Sequence, residues 1–460
     1  MHESNIYLKD QFIFHKHLSK FSCLMIGIGG LIGGGIFSVI GVISIYTGPY
    51  SYISYLITGF VALITVYSYQ KLNLKWSGPG GEYSVIQGAF RDSKLQILGA
   101  FAGLLLIFGY ITSMALYAYT FGIYFLHLFN IEFNYLFLSV IIILIFMIFT
   151  LLNLRGVKES GRFQNILVVI KVLILIVFTI AGISYAIQSP YQMILNVGLD
   201  IDSLKNINIV GLFIGSASII VSYQGFQLIA YVPHEMKDVK GGLKMMRWSV
   251  LISMIIYCCV GFTVISVLGI SGLIGGGIHN AEIAVANAAL SFMGKYGMVI
   301  IIIGVLLSTA SALNATILGV SRLIYIMGID RIFPQKLSLL SKKNKVPYNA
   351  ILFISILSTI FTILTGGSLA IASVAGLIFA QVFFIINFTN FKVKRETKSN
   401  TIIPFSGMIL TSFFFIILLC YNFINIRQEF ISFISFLVME SFVLFFVFHN
   451  NKKNNNKFVS

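Results

Sequence analysis

Apolar residues in this chain neither alternate nor keep to one helical face. They run in blocks of about 20 or more, separated by short polar connections, near 21–48, 50–70, 95–127, 135–154, 163–187, 208–231, 246–270, 296–326, 346–365, 368–391, 403–423 and 430–448. At 1.5 Å per residue each block can carry an α-helix across roughly 30 Å of hydrocarbon. The pattern predicts an all-α polytopic membrane protein with twelve transmembrane helices. Before the first block come Glu3, Asp10 and a His/Lys stretch, and no small-residue cleavage site follows it, so residues 1–20 read as an N-terminal segment ahead of a retained span. The connections near 188–207 and 271–295 are too short, and the second too apolar, to form a catalytic domain. The tail 449–460 is polar and reads as disordered.

Composition agrees. Of 460 residues 58% are hydrophobic and only 10% charged, which excludes a soluble globular domain for most of the length. The net charge of +16 is explained by where the charges lie. With twelve spans and both termini cytoplasmic, 27 of the 31 Lys and Arg residues fall in cytoplasmic segments, leaving Lys205, Lys295 and Arg427 outside and Lys171 within a span. That bias fixes the expected orientation in the cell membrane and removes the need for a nucleic-acid partner. The four cysteines lie in or beside apolar runs without a CxxC pattern, and no HxxxH or HExxH occurs. Neither a metal nor a cofactor is expected, and without a Ser-His-acid group or phosphate loop an enzyme is the weakest functional class.

Two spans should break. The first contains GLIGGGIF from Gly30 to Phe37; three consecutive glycines at mid-span weaken a helix and permit bare, unwound backbone. A helix restarting at Gly34, Gly35 and Ile36 presents unpaired amides and a positive dipole end suited to a carboxylate, while the preceding carbonyls can hold an ammonium. Glycines would equally serve tight helix packing. The sixth span places Ser222, Tyr223, Gln224, Gly225 and Gln227 in apolar surroundings. These should face inward, either at a second break or as bonds to neighbouring helices. Breaks in spans 1 and 6 imply two five-span units in opposite orientation, a five-plus-five inverted repeat, with spans 11 and 12 peripheral. The expected units are 21–187 and 208–391 within a core of 21–391, followed by 392–448.

Lys171 lies nine residues beyond Arg162, roughly 13 Å into the fifth span and too deep to reach the surface. It either exchanges a proton as a cavity opens to each side, or acts as a fixed cation on the carbonyls of the broken first helix. Ser308, Thr309, Ser311 and Asn314 form a polar stripe in the eighth span that could face it. Glu440, deep in span 12, suggests an oligomer contact or a neutral carboxyl, and His234-Glu235 a gate or surface ion-pair cluster.

Over residues 18–392 the chain resembles the amino-acid permeases of the amino acid, polyamine and organocation superfamily. The resemblance rests on IGGGIFSVIG, SGPGGEYSVIQGAF, LNLRGVKESGRFQNILVVIKVLIL, SYQGF with HEMKDV, and SALNATILGVSRLIYIMGIDRIFP. It implies a LeuT-like core, alternating access and a central amino-acid site. By position, Gly34, Gly35 and Ile36 would meet the substrate carboxylate, and the carbonyls of Leu31, Ser222 and Tyr223 its amino group, with Gly225 and Gln227 in the same wall. Lys171 stands where proton-coupled relatives carry a lysine, with Ser308 and Thr309 imitating sodium-site hydroxyls. Departures are Gln227 for a common glutamate, Val239 and Lys244 for prolines and Arg331 for glycine. The expected activity is proton-coupled uptake of a small neutral amino acid. The rivals are an exchanger with a structural Lys171 and a receptor that binds an amino acid without moving it.

Overall fold

The computed structural model describes residues 18–91, 93–155, 161–275, 277–341, 346–365, 367–424 and, near the C-terminus, 434, 436–442 and 445. Among them the regular structure is helical, apart from one isolated bridge between Leu18 and Met236. About ten helical stretches are long and apolar enough to cross a membrane. Two of the twelve expected spans account for the difference. The first two are joined in one 57-residue stretch, Lys20–Trp76, and the one at 430–448 lies mostly outside the described residues.

A straight helix of that length would measure about 85 Å, nearly three hydrocarbon thicknesses. The chain avoids this by breaking twice. Helix α1 (Lys20–Leu31) stops at Ile32, α2 (Gly34–Thr47) begins after Gly33, and a 3-10 turn at Gly48–Tyr50 leads into α3 (Ser51–Trp76). Then follow α4 (Glu82–Ala89), α5 (Ile97–Leu128), α6 (Tyr135–Leu154), α7 (Gly161–Ile187), α8 (Ile209–Ser218), α9 (Val239–Ile274), α10 (Ala284–Ile329), α11 (Tyr348–Thr365), α12 (Ser368–Lys392) and α13 (Ile402–Ile424).

The expected break in the sixth span is present, but the α-helix ends earlier, at Ser218. A 3-10 stretch (Ile219–Tyr223), an extended Gln224, Gly225 at φ 139° and a second 3-10 stretch (Phe226–Tyr231) follow. The cause is a close crossing of backbones. A Cβ on Gly225 would run into the backbone of Gly30, and a Cβ on Gly30 into the carbonyl of Gly225. The external connections also carry more helix than expected. Pro190–Asn196 and Ile201–Lys205 fill one, the latter capped by Asp200. Ile278–Glu282 and the start of α10, kinked at Gly294, fill the other.

Helices α1, α2, α5 and α12 are largely enclosed, whereas α6 and α7 display apolar stripes. Leu144, Met147, Ile148 and Leu151 on one, and Leu173, Ile176, Val177 and Ile180 on the other, are exposed at the i, i+3, i+4, i+7 spacing of a single helix face. Continuous apolar faces of this length have lipid as their solvent, so the chain is a multi-pass membrane protein.

The crossing makes a stability prediction. Gly225→Ala, strained by its positive φ and by contact with backbone that cannot move aside, should cost about 2–4 kcal/mol. Gly48→Ala, at φ 57° with open space around it, meets backbone strain alone and should cost less, about 1–3 kcal/mol. Thermal unfolding of the purified variants in one detergent compares them, and equal losses would contradict the close crossing.

Candidate functional site

A helix broken inside hydrocarbon leaves peptide groups with no water to turn to, so each needs a partner or a ligand. On the carbonyl side of the first break the partners are present. The Lys171 ammonium donates to Gly29 O at 3.0 Å and Ile32 O at 2.7 Å and lies 3.4 Å from Ser308 Oγ. Ser308 itself donates to Ile32 O at 2.6 Å. Lys171 is 4% exposed and sits at the C-terminal, negative end of α1, where a cation is favoured. Its side chain crosses from α7 to α1 and α10 and joins three elements far apart in sequence.

The carbonyl of Leu31 and that of Ser222, one from each broken span, both accept from a single hydroxyl, that of Tyr257 on α9. Tyr257 is fully buried, its ring 5.4 Å from that of Tyr55 and 5.3 Å from that of Tyr223. Sequence reasoning missed this residue. The available signal was a phenol in the apolar run Ile255-Ile256-Tyr257, which at that depth must find an acceptor.

On the amide side, no described residue accepts from Gly34, Gly35 or Ile36, the first turn of α2. Further into α2 the backbone is held by Tyr55, which donates to Gly35 O at 2.9 Å, and by Tyr124, which donates to Phe37 O at 3.0 Å. The ring of Tyr117 lies where a side chain on Gly33 would have to go, and Ser222 Oγ occupies the corresponding space at Gly35. Ser222 Oγ and Gln227 Nε2 are buried without a partner among the described residues, while Gln227 Oε1 accepts from the Gly225 amide at 2.6 Å. Tyr223 donates to Tyr55 O at 2.7 Å. A positive helix end with free amides thus stands beside carbonyls and buried polar side chains, an arrangement able to take the carboxylate and ammonium of a zwitterion.

Of the residues singled out from sequence, Leu31, Gly34, Gly35, Ile36, Ser222, Tyr223, Gly225 and Gln227 gather around the two breaks. Lys171 and Ser308 meet at the end of α1. Thr309 does not join them through its proton, which it donates within its own helix to Val305 O at 2.8 Å. Ser311 likewise donates to Ser308 O, and Asn314 pairs with Asn153 of α6 at 2.7 Å. Glu440 meets Gln381 of α12 at 3.4 Å, a contact within the chain. Glu235 lies 3.7 Å from Arg322, and its carbonyl accepts from Leu18 N, closing the N-terminal end of α1 against the segment after span 6.

Fold and site define a polytopic helical membrane protein in which two interrupted spans cross at an unpaired helix start. The amino acid permease family model matches residues 18–454, and the chain belongs to that family, which is one of secondary-active transporters and not of enzymes. It is 30% identical to an uncharacterized protein of Methanocaldococcus jannaschii over 93% of this chain and 95% of the relative. It is 27% identical to the inner membrane transport protein YbaT of Escherichia coli, over 81% and 83% of the two chains. With the branched-chain amino acid permease BcaP of Bacillus subtilis it shares 23% identity over 75% and 74%.

Removing the Tyr257 hydroxyl tests the bridge between the breaks. Tyr257→Phe strips a shared donor from two buried carbonyls while keeping the ring, which should cost about 1–3 kcal/mol. A melting temperature in detergent equal to that of the parent would contradict it.

Proposed function

We propose that this protein takes up a small neutral amino acid together with a proton by alternating access. In this reading it has twelve spans, both termini in the cytoplasm of a cell whose membrane it crosses, and a five-plus-five inverted repeat, 21–187 and 208–391. The segment 392–448 adds two peripheral spans, and 1–20 and 449–460 are cytoplasmic. The substrate carboxylate is taken by the amides of Gly34, Gly35 and Ile36, and its ammonium by the carbonyls of Leu31, Ser222 and Tyr223. Gly225 lets the second break approach the first, and Ser222 Oγ and Gln227 line the wall.

One observation carries the coupling: a lysine ammonium, Lys171, buried among Gly29 O, Ile32 O and Ser308 Oγ at the end of the helix whose restart holds the substrate. If Lys171 loses its proton, α1 loses the cation that fixes its end, so the proton and the position of α1 are linked. Thr309, one residue on, completes the polar wall of α10. The neutral preference follows from charge: the carboxyl groups of Glu82 and Glu282, both buried, are engaged by tyrosines away from the break, leaving neither as a counter-ion for a basic side chain. The name of the Bacillus subtilis relative, a branched-chain amino acid permease, supports a neutral substrate. The second reading, obligate exchange, is favoured by the same three oxygens, since a cation so well satisfied can serve as a fixed strut.

Flux decides between them. Proteoliposomes screened with the twenty common amino acids should accumulate at least one neutral substrate under an inward proton gradient. Lys171→Ala should remove that accumulation while retaining counterflow. Gradient-driven accumulation by the variant would overturn the coupling role, and counterflow without accumulation in the parent would favour the exchanger.

A further inference from the structure

Glu82, at the start of α4, lies between two membrane-spanning stretches and yet is only 1% exposed. A carboxylate withdrawn from water needs a cation or several strong donors. Glu82 has two phenols: Tyr69 of α3 donates to Oε1 at 2.9 Å, and Tyr231, the last residue of the second broken span, donates to Oε2 at 2.9 Å. Tyr110 of α5 stands behind, its hydroxyl 3.4 Å from that of Tyr231. Helix α12 contributes rings, Phe379 against Tyr110 and Phe383 against Tyr69. The neighbouring Tyr83 turns to Asp330, the residue that follows α10, at 2.6 Å, and Lys94 in the next turn is exposed. Among the described residues no lysine, arginine or histidine forms an ion pair with Glu82. The tyrosines are therefore the titratable groups that face it.

The chain is built to bring the carboxyl here. Gly81 adopts φ 54°, and a side chain on it would collide with the Tyr231 ring, so α4 is pressed onto the end of the second broken span. That same 3-10 segment, Phe226–Tyr231, packs against α1, and Tyr69 rests edge-on against Phe226 at 5.1 Å. A loosening of α1 and this segment from α4 would separate Tyr231 from Glu82 and admit water.

We propose that Glu82 is a second proton-binding site, holding a proton while α4 is closed against the Phe226–Tyr231 segment and releasing it to water when that contact opens. Burial pushes the carboxyl up to about 7, with its own backbone amide and the two phenols pulling against that rise. In water it returns toward the ordinary carboxylate range. The closed form therefore binds more protons: a fall in pH through neutrality favours closure, and a rise favours opening. No covalent step is involved; the proton comes from the adjoining water and returns to it. The proposal rests on the transport reading only for what the opening serves.

The test needs neither substrate nor gradient. Infrared difference spectra of the purified, lipid-reconstituted full chain should show a protonated carboxylic-acid band that titrates near pH 7 and is lost in Glu82→Gln. The double variant Tyr69→Phe with Tyr231→Phe should raise its midpoint, because both hydroxyls stabilise the ionised form. Glu82→Asp, which keeps a carboxyl, covers a Gln variant that fails to fold: its band should persist with a displaced midpoint. The absence of such a band, or its persistence in Glu82→Gln, overturns the Glu82 site and leaves the transport reading standing. A titrating Glu82 band in a protein that moves no amino acid overturns the transport reading alone.

Discussion

A peptide group in hydrocarbon must be hydrogen-bonded, and most of what is distinctive here follows from breaking that rule at one place and restoring it on one side only. Leaving a buried carbonyl or amide unmet costs about 1–3 kcal/mol, and several such groups would consume much of the roughly 5–15 kcal/mol by which a fold is ordinarily stable. The fold answers on the carbonyl side with Lys171, Ser308 and Tyr257, three side chains from three different helices that converge on Gly29, Leu31, Ile32 and Ser222. On the amide side no described residue answers. The asymmetry turns a defect in a helix into a place with unspent bonding capacity and a positive dipole behind it.

The second break is a condition of the first. Gly225 and Gly30 allow two backbones to touch, so the carbonyl of Ser222 comes within reach of the same Tyr257 hydroxyl that serves Leu31. The single proton of that hydroxyl is shared between the two carbonyls, so one donor ties both breaks together. Around the crossing, Tyr55, Tyr117, Tyr124 and Tyr223 supply bulk that no aliphatic side chain could combine with a donor. Tyrosine suits this shell because its ring packs like a hydrophobe while its hydroxyl reaches a backbone oxygen.

Much of this was legible in the sequence, for identifiable reasons. Helix and span placement follow from block length, which depends on bilayer thickness and little else. The breaks were readable because GGG at 33–35 and a polar run at 222–227 are both costly at mid-span. Lys171 was readable because a lysine that deep needs a counterpart. What was hidden is what depends on pairing between distant segments: that Ser308 and not Thr309 turns to Ile32, that Tyr257 bridges the breaks, that the α-helix gives out at Ser218. Glu82 was hidden for a different reason. It sits in a connection between spans, where a glutamate ordinarily meets water, and only tertiary packing puts Tyr69 and Tyr231 over it.

The two halves of the first broken span are latched by different means. The short helix Ile278–Glu282 packs against α2, and the Glu282 carboxylate accepts from Tyr119 at 3.0 Å, from the Ser368 amide at 2.9 Å and its hydroxyl at 2.7 Å, with His279 Nδ1 at 3.2 Å. Ser368 also reaches Ser38 O of α2 at 3.3 Å. Opening that end means parting the Glu282 carboxylate from three donors on two other elements, Tyr119 of α5 and the amide and hydroxyl of Ser368 on α12, while His279 travels with it on the same short helix. On the α1 side the Glu82 carboxyl has two phenols and, among the described residues, no ion pair. Each charge-assisted bond lost costs about 1.5–3 kcal/mol unless water replaces it, so the Glu282 contact is the stronger of these two carboxyl latches. The weaker of these two carboxyl latches lies on the side where Lys171, Ser308 and Tyr257 hold the end of α1, so release of α1 turns on those bonds as well as on the Glu82 contact.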